Sequence, residues 1–102
     1  MTSDQKIKRL HEIRDSLPGR SSVAQRTRIQ EALREFPVTT FEAMRHLDCF
    51  DPRPRVMELR RQGCWIITNR IRIETESGDS HTIGQYVLMA SVKRGRTDEG
   101  GV

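Results

Sequence analysis

Six arginines stand between Pro52 and Arg72, at positions 53, 55, 60, 61, 70 and 72, against a single acid, Glu58. The whole chain carries a formal net charge of +4, so the charge is concentrated in this stretch and nearly cancels elsewhere. A guanidinium offers a planar fork of donors that pairs two-pronged with a phosphate or with the edge of guanine. That is chemistry for holding a polyanion, not for making or breaking bonds. No nucleophile has a placed base, no carboxylates pair near a loop, and no glycine run could cradle a phosphate. Cys49 and Cys64 do not form a C-x-x-C pair, and His11, His46 and His81 are scattered. The two cysteines are expected to be buried, reduced thiols. The chain is therefore expected not to be an enzyme and to need no cofactor and no metal.

The arginines take their roles from the elements that carry them. Asp51 to Gln62 has the signature of a helix: Asp51 as cap, Pro52 in the first turn where no N–H is needed, and Gly63 as the stop. At about 100° per residue, Val56 and Leu59 share one side and define the core direction. Pro54, Met57, Glu58 and Arg61 fall on the other side. Arg53 sits at its edge in the first turn, where a helix lying in a DNA groove meets base edges. Arg53 and Arg61 have no internal partner in this pattern and are the expected base readers. Arg55 and Arg60 flank the core and suit either phosphates or internal pairs, Arg55 being three residues from Glu58.

After Gly63 the period changes. In "WIITNRIRIETE", Trp65, Ile67, Ile71 and Ile73 alternate with Thr68, Arg70, Arg72 and Glu74, which predicts a strand with one wet face. Trp65 is expected in the core. "SGDS" is a turn and "HTIGQYVLMAS" a returning strand. Arg70 and Arg72 can then reach a phosphate backbone or minor groove beside the helix, and Ser77 at the tip is small enough for close approach.

Upstream, "SDQKIKRLHEIRDSL" puts Ile7, Leu10, Ile13 and Leu17 in one narrow apolar stripe. "PGRSS" breaks it as a linker. Ser22 with Gln25 has capping-box spacing for a helix whose apolar face is Ile29, Ala32, Leu33 and Phe36, ended by Pro37. Thr39 and Glu42 repeat the capping box for a short helix from about Thr40 to Leu47. Its buried side draws on Phe41, Ala43, Met44 and Leu47. At the corner "DCF", Asp48 is one of the few residues that tolerate positive φ, and Phe50 is expected to drop into the core. The fold expected is mainly α with a β-hairpin: an N-terminal helix and linker over 1–20, a three-helix unit with a two-stranded hairpin over 21–90, and a disordered tail over 91–102.

Three helices with such a corner, followed at once by a hairpin, are similar to a winged helix-turn-helix. More closely, "TTFEAMRHL", "RVMELRRQGCWIIT" and "HTIGQYVL" resemble a helix-turn-helix domain family found in bacteriophages and bacterial genomes. The matching positions are Thr39, Glu42, Ala43, Arg55, Val56, Glu58, Leu59, Arg60, Gly63, Ile66, Tyr86 and Leu88, within about Gln25 to Leu88. The family usually has Leu-Gly-hydrophobic at the corner, whereas this chain has Leu47, Asp48 and Cys49. The resemblance implies a DNA-binding domain, often of phage or prophage origin.

The expected function is sequence-specific binding of double-stranded DNA by a small transcriptional regulator. The candidate contacts are Thr40, Arg53, Pro54, Arg55, Met57, Arg60, Arg61, Arg70, Arg72 and Ser77. The competing expectation is a winged-helix interaction module in phage replication or assembly, which Pro54 and Met57 would serve without specific readout of DNA. The N-terminal stripe is expected to meet either a second copy, giving a homodimer, or its own core. The dimer is favoured because the linker sets this helix apart from a fold that looks complete without it. No apolar run approaches the ~20 residues that span a bilayer and no signal-peptide pattern opens the chain, so a cytoplasmic protein is expected.

Overall fold

Capping boxes and a proline set most of the helix starts. The computed structural model describes residues 1–91. Helix α1 spans Ser3–Ser16, with the Thr2 side chain accepting from the Gln5 N–H and the Gln5 side chain accepting from the Thr2 N–H. Helix α2 covers Ser22–Glu35. Its cap is Ser21, one residue earlier than the spacing suggested: Ser21 Oγ accepts from Ala24 N, while the Gln25 side chain donates to the Arg20 carbonyl. Strand β1, Val38–Thr39, leads directly into α3, Thr40–His46, where Thr39 and Glu42 form the expected box. Helix α4 runs Pro52–Arg61 behind its Asp51 cap. Strands β2, Cys64–Glu74, and β3, Ser80–Ser91, form an antiparallel hairpin.

The sheet has three strands, not two, in the order β1-β3-β2. Pro37 ends α2 with Phe36 extended, and beyond it Val38 and Thr39 pair with Tyr86 and Gln85. The expected tail over 91–102 lies outside the described residues except for Ser91, which pairs with Cys64.

One core joins all the helices to the base of the sheet, including Leu10, Ile13, Ile29, Leu33, Val38, Ala43, Leu47, Val56, Leu59, Ile66 and Tyr86. Leu10 and Ile13 are buried in it, with Leu17 packed alongside. The stripe expected to favour a dimer is thus spent largely on the chain's own core, and α1 belongs to the same packing unit as residues 21–90. Ion pairs reinforce this seam: Arg9 pairs with Glu35 of α2, and Lys6 with Glu42 of α3.

Two aromatic residues expected inside are outside. At the corner, Asp48 takes φ 53° and the Ala43 carbonyl accepts from both Leu47 N and Cys49 N. This turn points Cys49 into the core and leaves Phe50 84% exposed. Burial pushes the Cys49 thiol up to about 11. Trp65 is 59% exposed because its neighbours Cys64 and Ile66 occupy the side of β2 that meets the helices. Successive side chains on a strand face opposite ways, so burying Ile66 puts Trp65 out.

Candidate nucleic-acid interface

The six arginines separate into two working groups. Arg55 is half-buried; it donates to Glu58 Oε2 at 3.0 Å and to Ser22 Oγ at 2.6 Å. The second oxygen of Glu58 accepts from Arg26 of α2 at 3.0 Å. These bonds stitch α4 to α2. Arg60 Nε donates to the Ile66 carbonyl at 2.9 Å and its Nη2 to Thr68 Oγ1 at 3.0 Å, tying the end of α4 to β2. Of the two roles the sequence left open for Arg55 and Arg60, the structure places both in internal pairs.

Arg53 is 79% exposed, yet it has a partner the helical pattern did not suggest: its Nε lies 3.1 Å from Asp51 Oδ1. The same carboxylate accepts from the Arg53 N–H as the helix cap. The guanidinium hydrogen bond holds the Asp51 carboxyl below the usual carboxylate range. An exposed pair of this kind holds its members weakly, so Arg53 remains available to a stronger anion. Arg61, Arg70 and Arg72 are exposed, and no ion pair engages them among the described residues. Pro54 and Met57 are also exposed on the outer side of α4.

The wing arginines share a face with the open side of the helical unit. Arg70 pairs across the ladder with Gly84, and Arg72 with Thr82. Partners directly opposite project to the same side of the sheet. Gly84 and Thr82 border a groove of about 360 Å³, whose other walls include Thr40, Phe41, Met44, Phe50 and Arg53. A methyl group on Gly84 would lie 3.3 Å from Thr68 Cγ2, a tight contact across the hairpin, and 3.6 Å from Thr40 Cγ2 of α3, an ordinary one. The even-numbered face of β2 is core at Cys64 and Ile66, then emerges past the end of α4 and becomes the Arg70–Arg72 face.

The tip is less suited to a phosphate. The Ser77 hydroxyl is engaged by Thr75 Oγ1 at 2.9 Å and Asp79 Oδ2 at 3.2 Å. Glu74, Glu76 and Asp79 are exposed around it, and their charges repel an anion. The basic surface is therefore the outer side of α4 plus the middle of the wing, with Thr40 in the groove between them. Among the described residues no group of three or more His, Cys, Asp or Glu side chains could hold a metal ion, and no helix is long and apolar enough to cross a membrane.

Two features of this site escape a sequence pattern. The apolar groove wall of Phe41, Met44 and Phe50 depends on the corner turning Cys49 inward. Arg28 is the other: it is 2% exposed and donates to the carbonyls of Leu17, Gly19, Leu47 and Asp48. Its only sequence signal is its position four residues before Ala32, on the buried side of α2. Residues 24–91 match the family model described as a winged helix-turn-helix domain. No curated protein and no solved structure matches the chain.

Proposed function

Because this chain belongs to the winged helix-turn-helix domain family, an architecture that in general binds DNA, we propose that it is a small, phage- or prophage-related transcriptional regulator that binds double-stranded DNA sequence-specifically and acts by occupancy, without catalysis. Helix α4 enters the major groove and the wing lies along the adjoining backbone. The observation that carries this reading is the division of the arginines. Arg55 and Arg60 are consumed in holding the fold, while Arg53, Arg61, Arg70 and Arg72 face outward from two elements that flank one groove. The phage connection rests on the likeness of "ELRRQG" and its surroundings to a family found in bacteriophages.

A second reading keeps one specific observation on its side. Phe50, Met57 and Pro54 are exposed apolar residues around α4, and they suit a protein partner as well as DNA. A salt series separates the two. A DNA binder loses affinity linearly in log[salt], with a slope of about −0.9 per phosphate neutralised. Selection from a random duplex pool then reports the preferred sequence. Weak duplex binding with no sequence preference would set the regulator aside in favour of an interaction module.

A further inference from the structure

Phe50 is the most exposed of the large apolar residues in the body of the domain, at 84%. Leaving a phenylalanine in water forgoes the stabilisation that burial would bring, and such a departure from the folding pattern is expected where a site needs it. Phe50 immediately precedes the cap of α4 and does not stand alone. Phe41 and Met44 of α3, 38% and 36% exposed, line the same groove beside it. The floor on the wing side is Gly84, which adds no side chain. On the rim Arg53 stands with its ion-pair partner Asp51, and the cationic excess comes from Arg70 and Arg72, across the ladder from Gly84 and Thr82.

An apolar wall with a cationic rim selects a polyanion that presents a small apolar group. In duplex DNA that group is the 5-methyl of thymine, which projects into the major groove where the N-terminal residues of a reading helix meet the bases. Phe50 is three residues before Arg53 and outside α4, which starts at Pro52, so at most about 10 Å of chain separates them. Base pairs are spaced about 3.4 Å apart. The two side chains therefore address positions no more than about three base pairs from each other.

We propose that Phe50, backed by Phe41 and Met44, reads the 5-methyl group of a thymine within about three base pairs of the base contacted by Arg53. This rests on the DNA-binding function proposed above and adds a specificity determinant to it. A protein docking on the same patch is disfavoured because Phe50 shares its groove with Arg53 and lies just before the helix that carries Arg53 and Arg61.

The test uses the full chain and duplexes selected from a random pool. Each thymine of the selected site is replaced in turn by deoxyuridine, which removes the methyl and leaves base pairing and backbone unchanged. At one or two positions the affinity of the unsubstituted protein should fall about three- to fivefold, the factor for one methyl group removed from water. Phe50→Ala should bind the thymine duplex more weakly by a similar factor and be indifferent to deoxyuridine, while Phe50→Leu should retain part of the discrimination. That non-additivity is the signature of direct contact. A selected site without thymine near the Arg53-dependent base, or one indifferent to deoxyuridine throughout, overturns the proposal and leaves DNA binding standing. Equal loss by Phe50→Ala on thymine and deoxyuridine duplexes also overturns it and assigns Phe50 to the sugar–phosphate chain or to a protein. If no duplex is selected at all, the DNA-binding reading itself fails.

Discussion

Arg28 Nε donates to the carbonyl of Leu47 at 2.8 Å, and by this bond α2 holds the last turn of α3 from inside the core. The same guanidinium donates to Leu17 O at 2.7 Å and Gly19 O at 2.9 Å, at the exit of α1. One side chain thus satisfies carbonyls from two chain reversals, the kind of groups that a helix end leaves unpaired. A buried cation without a carboxylate partner is tolerable here because its donors meet several acceptors at once.

Arg28→Met keeps the length and removes the donors, leaving those carbonyls partly buried with no partner. A loss of about 2–4 kcal/mol in unfolding free energy is expected. Arg28→Lys should recover only part of it, since an ammonium lacks the planar fork needed to span both reversals. Urea denaturation of the three proteins measures this. An unchanged midpoint in the methionine variant would show that water replaces the guanidinium and that Arg28 does not set the corner.

Asp48 carries the only positive φ of a non-glycine residue among the described residues, at 53°. A side chain in this region costs an L-residue about 1–2 kcal/mol, less for Asp and Asn. Asp48→Gly is therefore expected to raise stability by about 0.5–1 kcal/mol, the relief being offset in part by the greater freedom glycine has when unfolded. Asp48→Ala should lower it. Thermal melts of both variants check the sign, and a stabilising alanine would contradict the left-handed corner.

The corner also shows where sequence and structure part company. The capping boxes at Thr39–Glu42 and the Asp51–Pro52 start are local, with partners within three residues, so the pattern exposes them directly. The same is true of Gly63. Whether Cys49 or Phe50 turns inward depends on the sign of one dihedral at Asp48 and on the space beneath it, which no residue type announces. Trp65 was misplaced for a related reason. The apolar alternation of β2 runs along its odd positions, but the helices cover only its base, and there the even residues Cys64 and Ile66 are buried. Beyond α4 neither face is sealed, and Ile67, Ile71 and Ile73 remain half-buried. Arg28 was invisible because its acceptors lie nine to twenty residues away, in two separate turns.

His11 and His46 join α1 to α3, with Nε2 and Nδ1 3.0 Å apart. One ring must donate and the other accept, so the contact needs at least one neutral imidazole. Burial first, then His11 and the positive charges of Arg45 and Arg14, hold His46 below the usual histidine range, against a smaller opposing pull from Glu42. A histidine with a depressed folded-state pKa binds its proton more readily when unfolded. Stability is therefore full above about pH 6.5 and falls as the pH drops from there toward the depressed value. Urea midpoints between pH 8 and pH 5 should decline across that window, and His46→Gln should flatten this part of the profile. A decline that persists unaltered in the variant would show that His46 is not its source, since Glu35 and Asp51, both held low by arginine partners, give up their contribution only below about pH 5.

The last prediction concerns the two groups of arginines, which should separate cleanly in paired measurements of folding and DNA binding. Arg55→Ala removes bonds to Glu58 and Ser22, and Arg60→Ala removes bonds to Ile66 and Thr68. Each should cost about 1–2 kcal/mol of stability, the worth of hydrogen bonds from a charged donor at a half-buried position. Neither should change the salt slope of DNA binding when measured well below its melting temperature. Arg61→Ala and the double replacement of Arg70 and Arg72 should behave in the opposite way, leaving stability within about 0.5 kcal/mol because these side chains are exposed. The wing double variant should reduce the salt slope by roughly one to two units and weaken all duplexes alike, since phosphates carry no sequence information. Arg53→Ala and Arg61→Ala should instead lose about 1–3 kcal/mol on the selected site and much less on random duplex, provided both are compared at one salt concentration. Loss of specific and random binding in equal measure would make Arg53 and Arg61 phosphate clamps and move the sequence reader elsewhere on α4. A change of salt slope in Arg55→Ala or Arg60→Ala would show that these residues leave their internal partners when DNA arrives.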